Sequence, residues 1–105
     1  MQTIYLKKFG TVLVSRPEGL EAFRAIRPGL DEKTPVQIDF DGVSTVTPSW
    51  FDEFLTNLAN FMSGKVELLP TKNASVLASL PFIGAQRDDY VASIVKEALQ
   101  KMSLQ

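Results

Sequence analysis

The chain has neither cysteine nor histidine. Without cysteine there is no disulfide framework and no thiol nucleophile. Without histidine the commonest general base and the commonest transition-metal ligand are both missing. A metal site would have to be built from carboxylates alone, so neither a metal nor another cofactor is expected. Charge of one sign is scarce as well: 11 basic residues face 12 acidic ones, giving a net charge of −1, and the basic residues form no run. A nucleic-acid surface needs clustered Lys and Arg, so nucleic acid is not an expected partner. No apolar stretch approaches the roughly 20 residues of a membrane span. The opening "MQTIYLKKFG" lacks the basic-then-apolar order of a signal peptide, which makes the cytoplasm the expected location.

What is present is an ordinary globular composition: 45% hydrophobic and 22% charged residues in 105. That is enough for a single domain, residues 1–105, with one core. "QTIYLKK" alternates apolar and polar residues as a half-buried strand does, and "TVLVS" follows Phe9-Gly10, so a hairpin is expected. Arg16-Pro17 opens a helix with Leu20, Phe23, Ile26 and Leu30 on one side. "PVQIDF" is the clearest strand, with Val36, Ile38 and Phe40 facing one way and Gln37 and Asp39 the other.

From Pro48 the period changes. Phe51, Phe54, Leu55, Leu58, Phe61 and Met62 recur at helical spacing, and Ser63-Gly64 ends the run. "KVELLP" reads as a strand and "NASVLASL" as a short helix before Pro81. The last helix begins near Asp88-Asp89, whose acids suit a helix N-terminus, and Glu97 with Lys101 is spaced as an exposed pair. The predicted order is β-β-α-β-α-β-α-α. It describes an α/β layer: a small mixed sheet of about four strands with helices mainly on one face and the other face more open.

The stretch "DFDGVSTVTPSWFDEF", residues 39 to 54, raises the functional question. Thr47 as N-cap and Pro48 as first helical residue would put Ser49 in the first turn, among unsatisfied N–H groups. The favoured reading of the hydroxyls is that they start the helix; Ser49 as a phosphate acceptor is second, with the helix N-terminus favouring the phosphate and Asp52 and Glu53 opposing it. Asp39, Asp41, Asp52 and Glu53 also pose the question of a metal or acid–base cluster, and no Lys or Arg occurs between Lys33 and Lys65. With no phosphate-binding glycine loop and no nucleophile–base pair, no enzymatic activity is expected. The acid-rich window instead suits a basic or neutral partner. Trp50, the single Trp, reads either as packing at the core edge or as an interface anchor. Arg16 and Arg24 are candidates for a small anion site.

Three segments carry a family resemblance: "FGTVLVSR" at 9–16, "IDFDGVSTVTPSWFDEF" at 38–54 and "VELLPTKNASV" at 66–76. Together they resemble the STAS domain (sulfate transporter and anti-sigma factor antagonist), and most closely its uncharacterised bacterial STAS-like branch. The resemblance implies a regulatory, non-catalytic binding module. In the antagonists the partner is a serine kinase of the histidine-kinase-like ATPase fold, which phosphorylates a Ser in an Asp-Ser-Ser/Thr-Gly motif. On this chain Thr47 falls on the motif's Asp, Pro48 on the acceptor, Ser49 on the next residue and Trp50 on the Gly. Pro48 cannot be phosphorylated. Ser49-Trp50-Phe51-Asp52-Glu53 instead fits the "Ser-aromatic-x-Asp/Glu-Glu" form of the STAS-like branch.

The expected function is therefore a protein-interaction module that binds a protein partner through Ser49, Trp50, Asp52 and Glu53, the partner being such a kinase or another regulator. Two alternatives stand beside it: a phospho-switch with Ser49 as acceptor, and a small-ligand or nucleotide sensor using the open sheet face or the loop after Phe40. Homodimerisation through the open sheet face is left open.

Overall fold

The computed structural model of the chain describes residues 1–85 and 87–103. In chain order the elements are β1 (Gln2–Tyr5), β2 (Val12–Leu13), α1 (Arg16–Ile26), β3 (Val36–Asp39), β4 (Thr45–Val46), α2 (Pro48–Phe61), β5 (Val66–Leu68), α3 (Ala74–Gly84) and α4 (Tyr90–Met102). The expected order holds, with β4 inserted as a short strand that carries no periodic signal of its own.

The alternating segments β1, β3 and β5 form one sheet in the order β1-β3-β5. Every pairing in it is parallel, with Ile4 opposite Ile38 and Ile38 opposite Leu68. A second, two-stranded parallel sheet joins β2 to β4, Leu13 opposite Val46. The expected hairpin between β1 and β2 does not form, and the sheet is parallel rather than mixed. After β1 the chain enters a 3-10 turn at Leu6–Phe9 that buries Leu6, and the Gly10 N–H closes it on Lys7 O at 3.1 Å. That turn sends β2 out of the first sheet, and α1 then provides the crossover that a parallel β1–β3 pair requires.

Ile4, Val36, Ile38, Val66 and Leu68 belong to one core with the inner sides of all four helices. The alternate strand residues Thr3, Gln37, Asp39 and Glu67 are only half-buried and Tyr5 is exposed, so the sheet does have one covered and one more open face. On that open face the Gln37 side-chain amide donates to Thr3 Oγ1 at 2.9 Å.

Helix α2 is the centre of the molecule, as its broad apolar stripe requires. Phe51, Phe54, Leu55 and Leu58 are fully buried, and α1 packs along it. Gly19 makes that contact close: a Cβ there would lie 2.4 Å from Trp50 O. Just past the end of α2, Ser63 and Gly64 both take positive φ and turn the chain away.

Helix α3 is seated beside β4 by polar side chains at its start. Asn73 Nδ2 donates to Val43 O at 2.8 Å, and the Val46 N–H donates to Ser75 Oγ at 3.0 Å. The helix does not stop before Pro81 but runs through it to Gly84. Pro81 is exposed, where water can take the hydrogen bond a proline omits.

Candidate functional site

The start of α2 is built by the residue types that start helices. Thr47 Oγ1 accepts from the Trp50 N–H at 3.4 Å and donates to Val14 O at 2.7 Å, so the cap also ties α2 to the end of β2. Pro48 takes the first helical position, where its missing N–H costs nothing. Ser49 follows and is exposed, its hydroxyl free of the capping role that Thr47 fills.

Trp50 is 1% exposed. Its ring stacks on Phe54, centroids 5.0 Å apart at 19°, and Phe9 lies against both. It therefore presents no surface to a partner, and the expectation of Trp50 as a contact residue is corrected. At the third helical position its side chain points along the apolar stripe of α2 toward the crossing with α1. The step from Ser49 to Trp50 is the step from solvent to core.

Asp52 lies one turn further on and is held from two sides. Arg16 Nη1 donates to its Oδ2 at 3.0 Å, Arg87 Nη1 to its Oδ1 at 3.0 Å, and the Thr56 hydroxyl to Oδ1 at 3.1 Å. Partial burial pushes the Asp52 carboxyl up, but the bonds from Arg16, Arg87 and Thr56 outweigh it and hold the group below the ordinary carboxylate range. Arg87 also grips Asp89 through Nε and Nη2, at 2.9 and 2.7 Å, and this pairing raises the Arg87 pKa. The same grip holds the Asp89 carboxyl low, while Asp89 caps α4 by accepting from the Ala92 N–H at 3.2 Å.

The charge of Asp52 is thus balanced across space by two arginines that lie far from it in sequence. Arg16 bonds Asp52, and Arg24 is not among the residues around the cleft, so the two do not form the anion site considered for them. Asp39, Asp41, Asp52 and Glu53 do not come together: among the described residues no acidic group has the arrangement of a metal site.

Ser49 and Asp52 line an open cleft of about 400 Å³ together with Arg16, Pro48, Phe82 and Arg87. Phe82, 76% exposed, brings an aromatic ring to the lining, and Arg16 and Arg87 bring two guanidinium groups. Glu53 is not part of the lining; its Oε2 accepts from Asn57 Nδ2 at 3.0 Å on a neighbouring face of α2. A hydroxyl, two fixed cations and an exposed aromatic ring suit the cleft to holding a protein segment or an anionic group.

Two residues of the cleft had no visible role in the sequence. Arg87 stands 35 residues from Asp52, and no local pattern links the two. Phe82 follows Pro81, where the helix was expected to have ended; the uncharged apolar run from Ala74 to Ala85 is the signal that marks it.

Residues 21–66 match the model of a family described as a STAS-like domain of unknown function (DUF4325). The matched span runs from within α1 to the first residue of β5, and it contains Ser49 to Glu53. The STAS-like resemblance is borne out, and the α/β architecture agrees with it. Comparison with curated proteins and with solved structures finds no match. Among the described residues no helix is long and apolar enough to cross a membrane.

Proposed function

We propose that the chain is a non-catalytic regulatory module that binds a protein partner over the start of α2. The observation that carries this reading is the cleft itself, in which exposed Ser49 and exposed Phe82 flank the Arg16–Asp52–Arg87 ion pairs. An exposed aromatic beside fixed charges is the composition of a binding hot spot. The partner is a serine kinase of the ATPase fold or another regulatory protein, as the family resemblance implies. Glu53, on the adjacent face, extends the contact.

The test is affinity capture from the native cell with wild type, Ser49→Arg and Phe82→Ala. Both variants keep the fold, checked by circular dichroism, and lose the partner that wild type retains. Undiminished capture by both would remove the proposed surface.

A second reading has its own observation. Arg16 and Arg87 line the same cleft as the Ser49 hydroxyl, and a phosphate placed there would meet two guanidinium groups as well as the α2 N-terminus. In this version phosphorylation of Ser49 turns binding off. Phosphopeptide mass spectrometry on protein from native cells decides it: full coverage of the Ser49 peptide with no modified form under any growth condition excludes the switch.

A further inference from the structure

From Ala74 to Ala85 the chain carries no charged residue. A helix that is apolar on every side belongs inside a protein or against a partner. Yet α3 lies at the surface. Val76, Leu80 and Ile83 account for its inner side, while Phe82 is 76% and Leu77 36% exposed on its outer side.

Between α3 and α4 runs an open groove of about 440 Å³. The two helices approach closely at its base, where a Cβ on Gly84 would lie 2.9 Å from Val95 Cγ1. Pro81, Ala85, Ala92, Val95 and Leu99 make the walls largely apolar, and among the described residues Lys96 is the single charged one lining it. Among the described residues Lys96 forms no ion pair; its neighbour Glu97 turns to Lys101 at 3.3 Å. The groove lies on the opposite side of α3 from the Ser49 cleft, and among the described residues the two share only Ala85 in their linings.

We infer that this groove receives an amphipathic helical segment of a partner protein, whose apolar side chains enter between α3 and α4 while an adjacent carboxylate pairs with Lys96 Nζ. Charge complementarity selects this occupant: the walls reject a highly charged ligand, and the unpaired cation at the rim favours an acid beside the apolar residues. Leu77, one turn before Pro81 on the same side of α3 and partly exposed, prolongs the apolar surface along the helix, a shape that a helix follows and a compact metabolite does not. A second copy of the chain is a poorer fit, because the apolar helix it would offer, α3, has no acid for Lys96. The groove is a second surface, independent of docking at Ser49.

Designed helical peptides of about 15 residues test it. All carry leucines along one face, flanked by Glu, Gln or Lys, and each is titrated into the intact protein while backbone amides are followed by NMR. The Glu peptide saturably shifts Ala92, Val95, Lys96 and Leu99, and the Gln peptide binds about fivefold more weakly, the size of one partly exposed ion pair. In Lys96→Glu, whose exposed side chain leaves the fold unchanged by circular dichroism, the Lys peptide binds better than the Glu peptide. No saturable shift with the Glu peptide, shifts confined to other residues, or an unchanged peptide order in Lys96→Glu would each overturn the inference. So would decanoate binding in the groove when the Glu peptide does not, which would assign it to a small amphiphile. Self-association of the protein that Lys96→Glu abolishes would assign it to a second copy.

Discussion

Arg87 Nη1 donates to Asp52 Oδ1 at 3.0 Å across 35 residues of sequence. The bond joins the first turns of α2 to the segment that leads into α4. Because Arg87 also holds the α4 cap Asp89, one guanidinium sets the position of two helix starts. Asp52→Asn removes the charge that both Arg16 and Arg87 face, and it should destabilise the protein by about 1–2 kcal/mol. Arg16→Ala should cost about 0.5 kcal/mol or less, because Arg16 is half exposed and its pairing is screened by solvent. Thermal melts followed by circular dichroism separate the two: about 1 kcal/mol corresponds to a fall of roughly 4–8 °C in a domain of this size. Equal losses in both variants would contradict the central place given to Arg87.

The same groups contribute to the loss of stability in acid. Asp52 and Asp89 are both held below the usual carboxylate range in the fold. The unfolded chain therefore binds more protons than the folded one as pH falls, so stability declines toward acid. The contribution is complete above about pH 5, where the unfolded carboxylates are almost fully ionised, and it is lost as pH drops from there through the lower folded values. Asp52→Asn should then show a shallower loss of stability below about pH 5 than wild type. Urea midpoints measured across the acid range check this; parallel curves would mean that Asp52 is not among the groups being protonated.

The parts of the fold that were legible in the sequence are those with a local cause. The alternation of Val36 and Ile38 with Gln37 and Asp39, the stripe of α2 and the Thr47-Pro48 start all depend on neighbours within a few residues. Strand pairing does not. β2 could be read from "TVLVS" but its partner could not: β4 is two residues, too short for a periodic signal, and their pairing depends on the turn at Leu6–Phe9 diverting the chain. At the site, the exposed Ser49 followed from the helix start, whereas the direction of Trp50 follows from how α1 crosses α2. Arg87 and Phe82 reach the cleft only because α3 continues through Pro81 and returns the chain to α2.

The α1–α2 crossing offers a direct test of packing. A methyl group at Gly19 would lie 2.4 Å from Trp50 O, and backbone on that side has little room to yield. Gly19→Ala gains roughly 0.5–1 kcal/mol in helix propensity. The overpacking it forces costs about 1–3 kcal/mol, so the variant should be less stable than wild type by about 1 kcal/mol or more. A stabilised Gly19→Ala, measured by urea denaturation, would show that the two helices are further apart than the structure places them.

Trp50 and Phe82 separate stability from binding. Trp50 is enclosed by Phe9 and Phe54, and Trp50→Ala should cost about 3–5 kcal/mol, a large part of the 5–15 kcal/mol typical of a whole domain. Partner capture would fall with it, but only because the fold is lost. Among the described residues Phe82 is the large apolar side chain most open to solvent, and Phe82→Ala should change stability by no more than about 0.5 kcal/mol. Removing that ring takes the aromatic out of the Ser49 cleft lining, so a loss of partner capture in Phe82→Ala reports on binding alone. Urea curves on both variants, run beside the capture experiment, check the division. A Trp50→Ala protein as stable as wild type would place the ring at the surface, and Trp50 would return to the contact residues.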